Sequence, residues 1–237
     1  MSAADIDLGD SAVANAMAGE GAAVVLHGFR PDAMPAEDFA PPLTIALARQ
    51  TGARGRAVAE RVAELLNFTF YSPESLDLAA DDPGAQLALE ELPPEAVGWC
   101  EQRFARLSRK PIARHPEMAA LVRTILEIGA GGRAVLLGKG AAAVLPRRTT
   151  LHVRLLAPEK DRIAYVAQWE RMSPAEAEEH VRQREKDRRK YLIGKFGVDP
   201  DVASQYDLSL NTSTLGVELC AEIIAVCARA RLEDNED

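Results

Sequence analysis

Short apolar runs alternate with longer amphipathic segments through most of the chain, a pattern typical of α/β proteins. Residues 43–47 form the first apolar run and predict a buried strand, and residues 55–66 carry apolar positions at helical spacing. Further strands and a closing amphipathic helix are predicted at residues 68–71, 133–137, 151–156, 208–210 and 215–231. Strands alternating with helices in this way predict a three-layer α/β sandwich around a central parallel sheet.

Two segments depart from this alternation. Residues 73–128 are rich in Glu, Ala and Leu, lack strand signals and are interrupted by prolines, so they predict a helical insertion. Residues 1–42 are rich in Ala, Gly, Asp and Pro and predict a flexible N-terminal arm, in which residues 22–27 could add one strand or helix. The main domain is therefore placed at residues 43–232, with a short tail at 233–237.

The segment between the first strand and the first helix has the layout of a phosphate-binding loop. Gly52 and Gly55 allow backbone N–H groups to approach an anion, and the following helix directs its positive end at the same place. The common pattern is G-x-x-x-x-G-K-[ST], whereas this chain has Gln50 at the first glycine, Arg56 at the lysine and Ala57 at the hydroxyl residue. A glycine-containing turn without a ligand is the alternative interpretation.

A basic segment lies on the helix that the capping-box pattern at Ser173 and Glu176 predicts to begin there. Residues 182–195 hold seven Lys and Arg side chains against two acidic ones, although the whole chain has a formal charge of −8. The overall charge argues against general nucleic-acid binding, while the local cluster fits a small anionic partner such as polyphosphate. The alternative is a solvated helix face that pairs with the glutamates one or two turns earlier.

The amino-acid composition indicates the class of protein and the cellular compartment to expect. With 47% hydrophobic and 27% charged residues the chain is an ordinary globular protein, and it has no apolar run of the ~20 residues that a membrane helix needs. Its acidic first residues do not match a signal peptide, so we expect a cytoplasmic protein without a membrane partner. The three cysteines are expected to be buried free thiols, and the four histidines lack the spacing of a zinc site. No feature of the sequence indicates an oligomeric state.

Several motifs together resemble the cytidylate-kinase-like family of P-loop nucleoside-monophosphate kinases. They are, in order, Q-T-G-A-R-G-R-A-V-A at 50–59, N-F-T-F-Y at 67–71, L-L-G-K-G-A-A at 136–142, L-H-V-R-L-L-A-P at 151–158, D-R-R-K-Y at 187–191 and Y-D-L-S-L-N-T-S at 206–213. The resemblance implies a P-loop NTPase-like sandwich of about five parallel strands. It also implies an ATP-dependent kinase that transfers the γ-phosphoryl group to a small phosphate acceptor.

The resemblance also implies roles for particular residues. The loop would hold the phosphates of ATP, a lid-like segment at 180–200 would reach the transferred group, and the insertion at 73–128 would bind the acceptor. Mg²⁺ would be held mainly through phosphates and water, because Ala57 offers no oxygen. The loop residues are Thr51, Gly52, Ala53, Arg54, Gly55 and Arg56, the lid residues are Arg188, Arg182, Lys186 and Asp187, and the acceptor residues are Lys139 and Arg154.

Some of these residues have a plainer alternative. Arg182 and Arg188 are predicted to point across one cleft, with Asp187 orienting a guanidinium, but Asp187 also fits an ordinary surface ion pair. Lys139 sits in a Gly-Lys-Gly turn where related kinases have Gly-Arg-Asp or Gly-Arg-Gly, and it can be an exposed turn residue. Arg154 lies within an apolar strand pattern, so it should meet a carboxylate or a ligand phosphate unless the strand is an edge strand.

The substitutions at positions 56, 57 and 140 leave a second function open. A catalytically weakened P-loop protein could still bind a nucleotide and act through its insertion or N-terminal arm. A purely structural interaction module would leave the glycine turn and the basic cluster without a common cause. The intact lid cluster favours the kinase.

Overall fold

The computed structural model describes residues 39–81, 92–108 and 116–233. Five parallel strands form one sheet in the order β2-β3-β1-β4-β5, so β1 lies at its centre. The strands are β1 (Thr44–Arg49), β2 (Thr69–Tyr71), β3 (Ala134–Leu137), β4 (Thr150–Leu156) and β5 (Leu208–Asn211). The predicted five-stranded parallel sheet is confirmed, and each predicted strand is present within two residues of its expected bounds.

Eight α-helices surround this sheet in the described part of the chain. A π-helical turn (Leu192–Phe196) and a short 3₁₀ turn (Ala203–Gln205) precede β5. The helices are α1 (Gly55–Leu66), α2 (Pro73–Asp81), α3 (Pro94–Ser108), α4 (Pro116–Gly131), α5 (Ala141–Val144), α6 (Glu159–Glu170), α7 (Pro174–Tyr191) and α8 (Thr212–Glu233). Helices α2, α3 and α4 occupy the region between β2 and β3, where the sequence predicts a helical insertion.

The sheet separates two apolar cores, because alternate residues of its central strand point to opposite faces. Ile45 and Leu47 pack with α1 and α8 on one face. Ala46 packs on the other face with the apolar sides of α2, α3, α4 and α5. Both faces are covered by helices, so the strands read as continuous apolar runs rather than alternating ones. The three-layer sandwich predicted from the sequence is confirmed.

Local sequence signals explain several element boundaries. The Ser173 hydroxyl oxygen accepts a hydrogen bond from the backbone N–H of Glu176, and the Glu176 carboxylate accepts one from the backbone N–H of Ser173. This capping box starts α7 as predicted. Cys100 and Cys220 are buried free thiols, whereas Cys227 is only half-buried, which corrects the expectation for that residue. The predicted N-terminal arm lies outside the described residues except for 39–42, and the tail does so except for 233.

The register of the paired strands brings the loops of the candidate site together. Leu47 is paired with Leu137 of β3, and Arg49 with Leu155 of β4, so the loops after these three strands emerge together. In parallel sheets, ligands bind outside the carboxyl ends of the strands, which is this edge. Within the described residues, no helix is both long and apolar enough to cross a membrane.

Candidate functional site at the carboxyl ends of the strands

The loop after β1 turns sharply and ends at the first residue of α1. Gly52 has φ of +80° and lies directly against the backbone of Arg162 in α6. The Gln50 side chain accepts a hydrogen bond from the backbone N–H of Ala157 at 3.1 Å, which ties the loop to the end of β4. Arg54 occupies the N-cap position of α1 with φ of +54°, and its side chain does not cap the helix. The first N–H groups of α1 have no partner within the helix, so they can receive an anion.

Gly52→Ala is expected to destabilise the protein by about 2 to 4 kcal/mol. A Cβ at this position would lie 2.5 Å from the backbone oxygen of Arg162, and the residue has a positive φ. Gly98→Ala in α3 is the matched control, because a Cβ there meets no atom within 4 Å. That substitution should leave the free energy of unfolding unchanged or raise it slightly. Urea unfolding measures both, and equal losses would contradict the packing described for Gly52.

Helix α7, which carries the predicted lid residues, reaches the loop through Arg188. Its guanidinium donates to the backbone oxygen of Arg49 at 2.5 Å and to Oγ1 of Thr51 at 2.6 Å. Glu185, one turn earlier, accepts from the same guanidinium at 2.8 Å. Burial lowers the pKa of Arg188, and the nearby Glu185 opposes that shift. Three hydrogen bonds therefore hold the Arg188 guanidinium at the loop.

Glu185 also contacts the loop directly. Its carboxylate accepts a hydrogen bond from the backbone N–H of Thr51 at 2.6 Å. A loop N–H that binds a carboxylate oxygen makes the same kind of bond that it would make to a phosphate oxygen. Val181, Glu185 and Arg188 fall on one helix face by their spacing of four and three residues, and Val181 is buried. This spacing is the sequence signal that could have identified Glu185, which the sequence analysis missed.

Arg49 is a second residue that the sequence analysis missed. It ends β1, and its guanidinium lies so close to Gly138 that any side chain at that glycine would collide with it. Burial and the charge of Arg188 lower the pKa of Arg49 to about 10, while Glu74 and Glu185 act in the opposite direction. Within the described residues, the Arg49 guanidinium has neither an ion pair nor a hydrogen bond. The Arg49 guanidinium is therefore a half-buried cation with free donors, and it lies between the loop and the turn after β3.

Arg162 fixes the loop from the opposite side and was also missed. This buried residue of α6 donates to the backbone oxygen of Ala157 at 3.0 Å and to that of Thr51 at 3.2 Å. Both bonds go to carbonyl groups, so Arg162 supports the loop backbone and leaves the N–H groups available. Neither the strand pattern nor the motif spacing indicates this role, because it depends on packing between segments far apart in the sequence.

Arg56 and Arg182, two of the predicted phosphate ligands, are directed elsewhere. Arg56 donates to Glu74 of α2 at 2.7 Å, and its side chain is 56% exposed. Arg182 is exposed and pairs with Glu178 at 2.5 Å and with Glu159 at 3.7 Å. Arg182 and Arg188 are six positions apart, which corresponds to about 600° of helix rotation, so their side chains point about 120° apart. The structure therefore does not bring Arg182, Arg56 and Arg188 together in one cleft.

The remaining lid residues lie on the outer side of α7. Lys186 is exposed, as is Asp187. Both carboxylate oxygens of Asp187 accept from the side-chain amide of Gln183 at 3.0 Å. In the described part of the chain, Asp187 does not contact a guanidinium, and Glu185 is the carboxylate that binds Arg188.

The turn after β3 carries the predicted acceptor residue Lys139. Its ammonium lies 2.5 Å from a carboxylate oxygen of Asp77 in α2, so the charge faces the helical region. Gly140 has φ of +78° and a Cβ there would lie 2.5 Å from the ring of Phe196. An aspartate at position 140, as in the related Gly-Arg-Asp turns, would not fit against this buried ring. The Gly-Lys-Gly sequence is thus explained by packing beneath the lid.

Arg154 meets a carboxylate, which was one of the predicted alternatives. Its guanidinium donates to Asp201 at 2.6 Å and lies over the ring of Tyr206, and its side chain is 14% exposed. The edge-strand alternative is wrong, because β4 lies between β1 and β5. Arg189 of α7 binds the same Asp201 at 3.0 Å. Arg154 therefore connects β4 to the segment that follows the lid.

The comparison with known families agrees with this geometry. The sequence profile of the cytidylate kinase-like family matches residues 44–214. The chain belongs to this family. The match includes the loop, the insertion and the lid helix, so family membership supports a nucleotide-kinase-like function. No curated protein sequence matches the chain.

One solved structure shares the fold at low sequence identity, and two others are more distantly similar. A crystal structure of an uncharacterized protein from Eubacterium ventriosum ATCC 27560 has a TM-score of 0.64 at 19% identity and covers 79% of this chain and 98% of that one. The Thermus thermophilus protein TT1252 has a TM-score of 0.45 at 19% identity, with 80% and 98% covered. Shikimate kinase from Acinetobacter baumannii in complex with shikimate has a TM-score of 0.39 at 18% identity, with 84% and 99% covered. The first of these supports the α/β fold, and the other two are too distant to support a further conclusion.

Proposed function

We propose that this cytidylate kinase-like protein transfers the γ-phosphoryl group of ATP to a small phosphate acceptor of the nucleoside-monophosphate type. The observation that carries the proposal is the contact of the lid arginine Arg188 with the phosphate-type loop at Thr51. Phosphoryl transfer needs cations around the moving group and the exclusion of water rather than covalent chemistry. Arg188 and Arg49 supply such cations on two sides of the loop.

The donor phosphates would bind the N–H groups of Thr51, Gly52, Ala53, Arg54, Gly55 and Arg56. To do so they would replace the Glu185 carboxylate on the N–H of Thr51, and Arg188 would then donate to a phosphate oxygen. The exchange keeps the local charge balanced, because one anion replaces another beside the same guanidinium. Arg182, Lys186 and Asp187 remain predicted lid residues that would need a rotation of α7 to reach the phosphates.

In this proposal, Mg²⁺ is held mainly by phosphate oxygens and water. Among the described residues, no cluster of His, Cys, Asp and Glu side chains is arranged to hold a metal ion. Ala57 provides a methyl group where many phosphate loops provide a hydroxyl. When bound with ATP, the ion would neutralise phosphate charge. We place the reaction in the cytoplasm, where free thiols such as Cys100 and Cys220 persist.

The acceptor would bind on the other side of Arg49, toward the turn after β3 and the helical region. Lys139 is the predicted acceptor cation there, and its ammonium would exchange the Asp77 carboxylate for a phosphate group of the acceptor. Arg154 is a weaker candidate, because Asp201 already neutralises its charge. The acceptor domain in this proposal is the helical region of α2, α3 and α4.

A second function is favoured by one observation, the pairing of Arg56 with Glu74. A loop whose arginine at the lysine position faces a carboxylate could bind a nucleotide without transferring its phosphate. The protein would then act as a nucleotide-binding regulator. A thermal-shift panel of ATP, GTP, CMP, dCMP, UMP and AMP, with and without Mg²⁺, tests for binding, since a ligand at 100 times its Kd adds about 2.7 kcal/mol. Coupled ADP-release assays with each monophosphate then test for transfer.

Arg56→Ala is expected to weaken ATP binding about tenfold, because a cation at the start of α1 attracts the donor phosphates in the ground state as well. Isothermal titration measures the change. Arg61→Ala is the matched control on the same helix, where Arg61 pairs with Glu64 and Glu218 on the exposed side. Unchanged ATP affinity in Arg56→Ala would mean that Arg56 belongs only to its ion pair with Glu74.

A further inference from the structure

An aromatic stack begins at the phosphate-type loop and runs outward along α6. The guanidinium of Arg54 lies over the ring of Tyr165, with 5.3 Å between Cζ and the ring centroid. Tyr165 in turn stacks on Trp169, with centroids 6.1 Å apart and planes inclined by 9°. The Trp169 side chain is 75% exposed. We call Tyr165 and Trp169 the aromatic platform.

The aromatic platform is fixed relative to the loop. Arg162 binds the backbone of Thr51, and Gly52 packs against Arg162, so α6 cannot move away without distorting the loop. Arg162, Tyr165 and Trp169 follow one another at spacings of three and four residues, which places them on one face of the helix. Trp169 is seven positions after Arg162, which corresponds to a rise of about 10 Å along the helix axis. This is the scale that separates the phosphates of a nucleotide from its base.

Packing does not explain the exposure of Trp169. The buried side of α6 consists of Arg162 and Val166, and Val166 packs with Ala177 and Val181 of α7. Of the large hydrophobic side chains exposed in the described part of the chain, Trp169 is the only aromatic one. The exposed indole presents a flat face that suits stacking with another flat π-system.

We infer that the aromatic platform binds the nucleobase of the donor nucleotide by stacking, while the loop binds its phosphates. The inference rests on the proposed function, because it places the base of a nucleotide whose phosphates occupy that loop. Arg54 holds the Tyr165 ring from the loop side by a cation–π contact, which keeps the platform in register with the phosphates. Stacking on an aromatic face tolerates different bases, so the platform favours nucleotides over inorganic polyphosphate more than one base over another.

Tryptophan fluorescence tests the inference directly. The chain has two tryptophans, and Trp99 is 3% exposed, so the emission that a solvent-side ligand can quench comes from Trp169. Titration of the full chain with Mg·ATP is expected to quench this emission, whereas Mg·tripolyphosphate, which has no base, should bind without quenching it. Quenching by both ligands to the same extent would overturn the inference.

Trp169→Ala provides the affinity test. This variant should bind Mg·ATP about 5- to 100-fold more weakly and Mg·tripolyphosphate with unchanged affinity. Trp169→Phe should recover most of the ATP affinity, because it restores an aromatic face. Val226→Ala, which truncates an exposed apolar side chain on α8, is the control and should leave both affinities unchanged. Thermal unfolding confirms that each variant is folded.

The outcomes separate the aromatic platform from the kinase proposal. If wild type binds ATP and Trp169→Ala binds it equally well, the platform is wrong and the donor site stands. A parallel loss for ATP and tripolyphosphate also overturns the platform, since it would indicate damage to the loop. If wild type binds neither ligand, the donor-site proposal fails and the platform fails with it. If Trp169→Ala binds ATP like wild type but loses binding to a protein partner, the platform is a protein contact and the inference is wrong.

Discussion

Arg188→Ala is expected to lower kcat for phosphoryl transfer by about 10²- to 10³-fold while ATP affinity falls much less. The guanidinium already lies at the loop, where it donates to Thr51 and to the backbone of Arg49. A group in this position acts most strongly on the charge that develops on the transferred phosphoryl group. Steady-state kinetics and isothermal titration on the same samples separate the two quantities.

Two variants sharpen this test. Arg188→Lys should recover little activity, because a lysine cannot contact Thr51 and Glu185 through one planar fork. Arg189→Ala is the neighbouring control, since Arg189 turns outward to Asp199 and Asp201. A wild-type kcat in Arg188→Ala would remove this residue from the reaction and favour the nucleotide-binding regulator.

Arg49→Met is expected to weaken ATP binding about 30- to 100-fold and, in the ligand-free protein, to raise the Tm. The lowered pKa of Arg49, about 10, means that the folded protein disfavours its charged form, chiefly through burial. Methionine keeps much of the side-chain volume beside Gly138 and removes the charge, so the free protein gains stability. A bound polyphosphate would supply an anion in direct contact with Arg49, whereas Glu74 and Glu185 make no ion pair with it.

Arg61→Met is the control for both expected effects of Arg49→Met, the weaker ATP binding and the higher Tm. The hydrogen bonds that Arg61 donates to Glu64 and Glu218 raise the pKa of Arg61, so the folded protein favours that charge. Its loss should lower the Tm slightly and leave ATP affinity unchanged. A lower Tm for ligand-free Arg49→Met, or wild-type ATP affinity in that variant, would contradict the role inferred for Arg49.

The sequence was sufficient for those parts of the site that are contiguous in the chain. The strand, glycine turn and helix over residues 43–66 were predicted within about two residues, because apolar periodicity and turn chemistry are local properties. The capping box at Ser173 was predicted for the same reason. The number of parallel strands followed from the family resemblance, whereas their order was not predicted from the sequence.

The missed residues depend on distant contacts. Glu185 lies 134 residues from Thr51 in the sequence, and no local pattern indicates that its carboxylate meets that N–H group. Arg56 seemed to replace a phosphate-binding lysine by position, but the acidic start of α2 at Glu74 attracts its side chain. Arg182 was grouped with Arg188 by charge, whereas helix rotation separates them. Charge composition therefore singled out the basic segment of α7, and only packing distinguished that Arg188 is the cation of this segment that contacts the loop.

The bond between Glu185 and the N–H of Thr51 has a consequence for the residence time of nucleotides. Because the competing carboxylate is tethered to the lid, it acts at a high effective concentration that does not depend on the solution. In the proposed kinase, the Glu185 carboxylate would take the place of each departing phosphate, so rebinding of the product would be disfavoured. Such a kinase would trade some affinity for faster release, and its loop would keep an anionic partner between one nucleotide and the next.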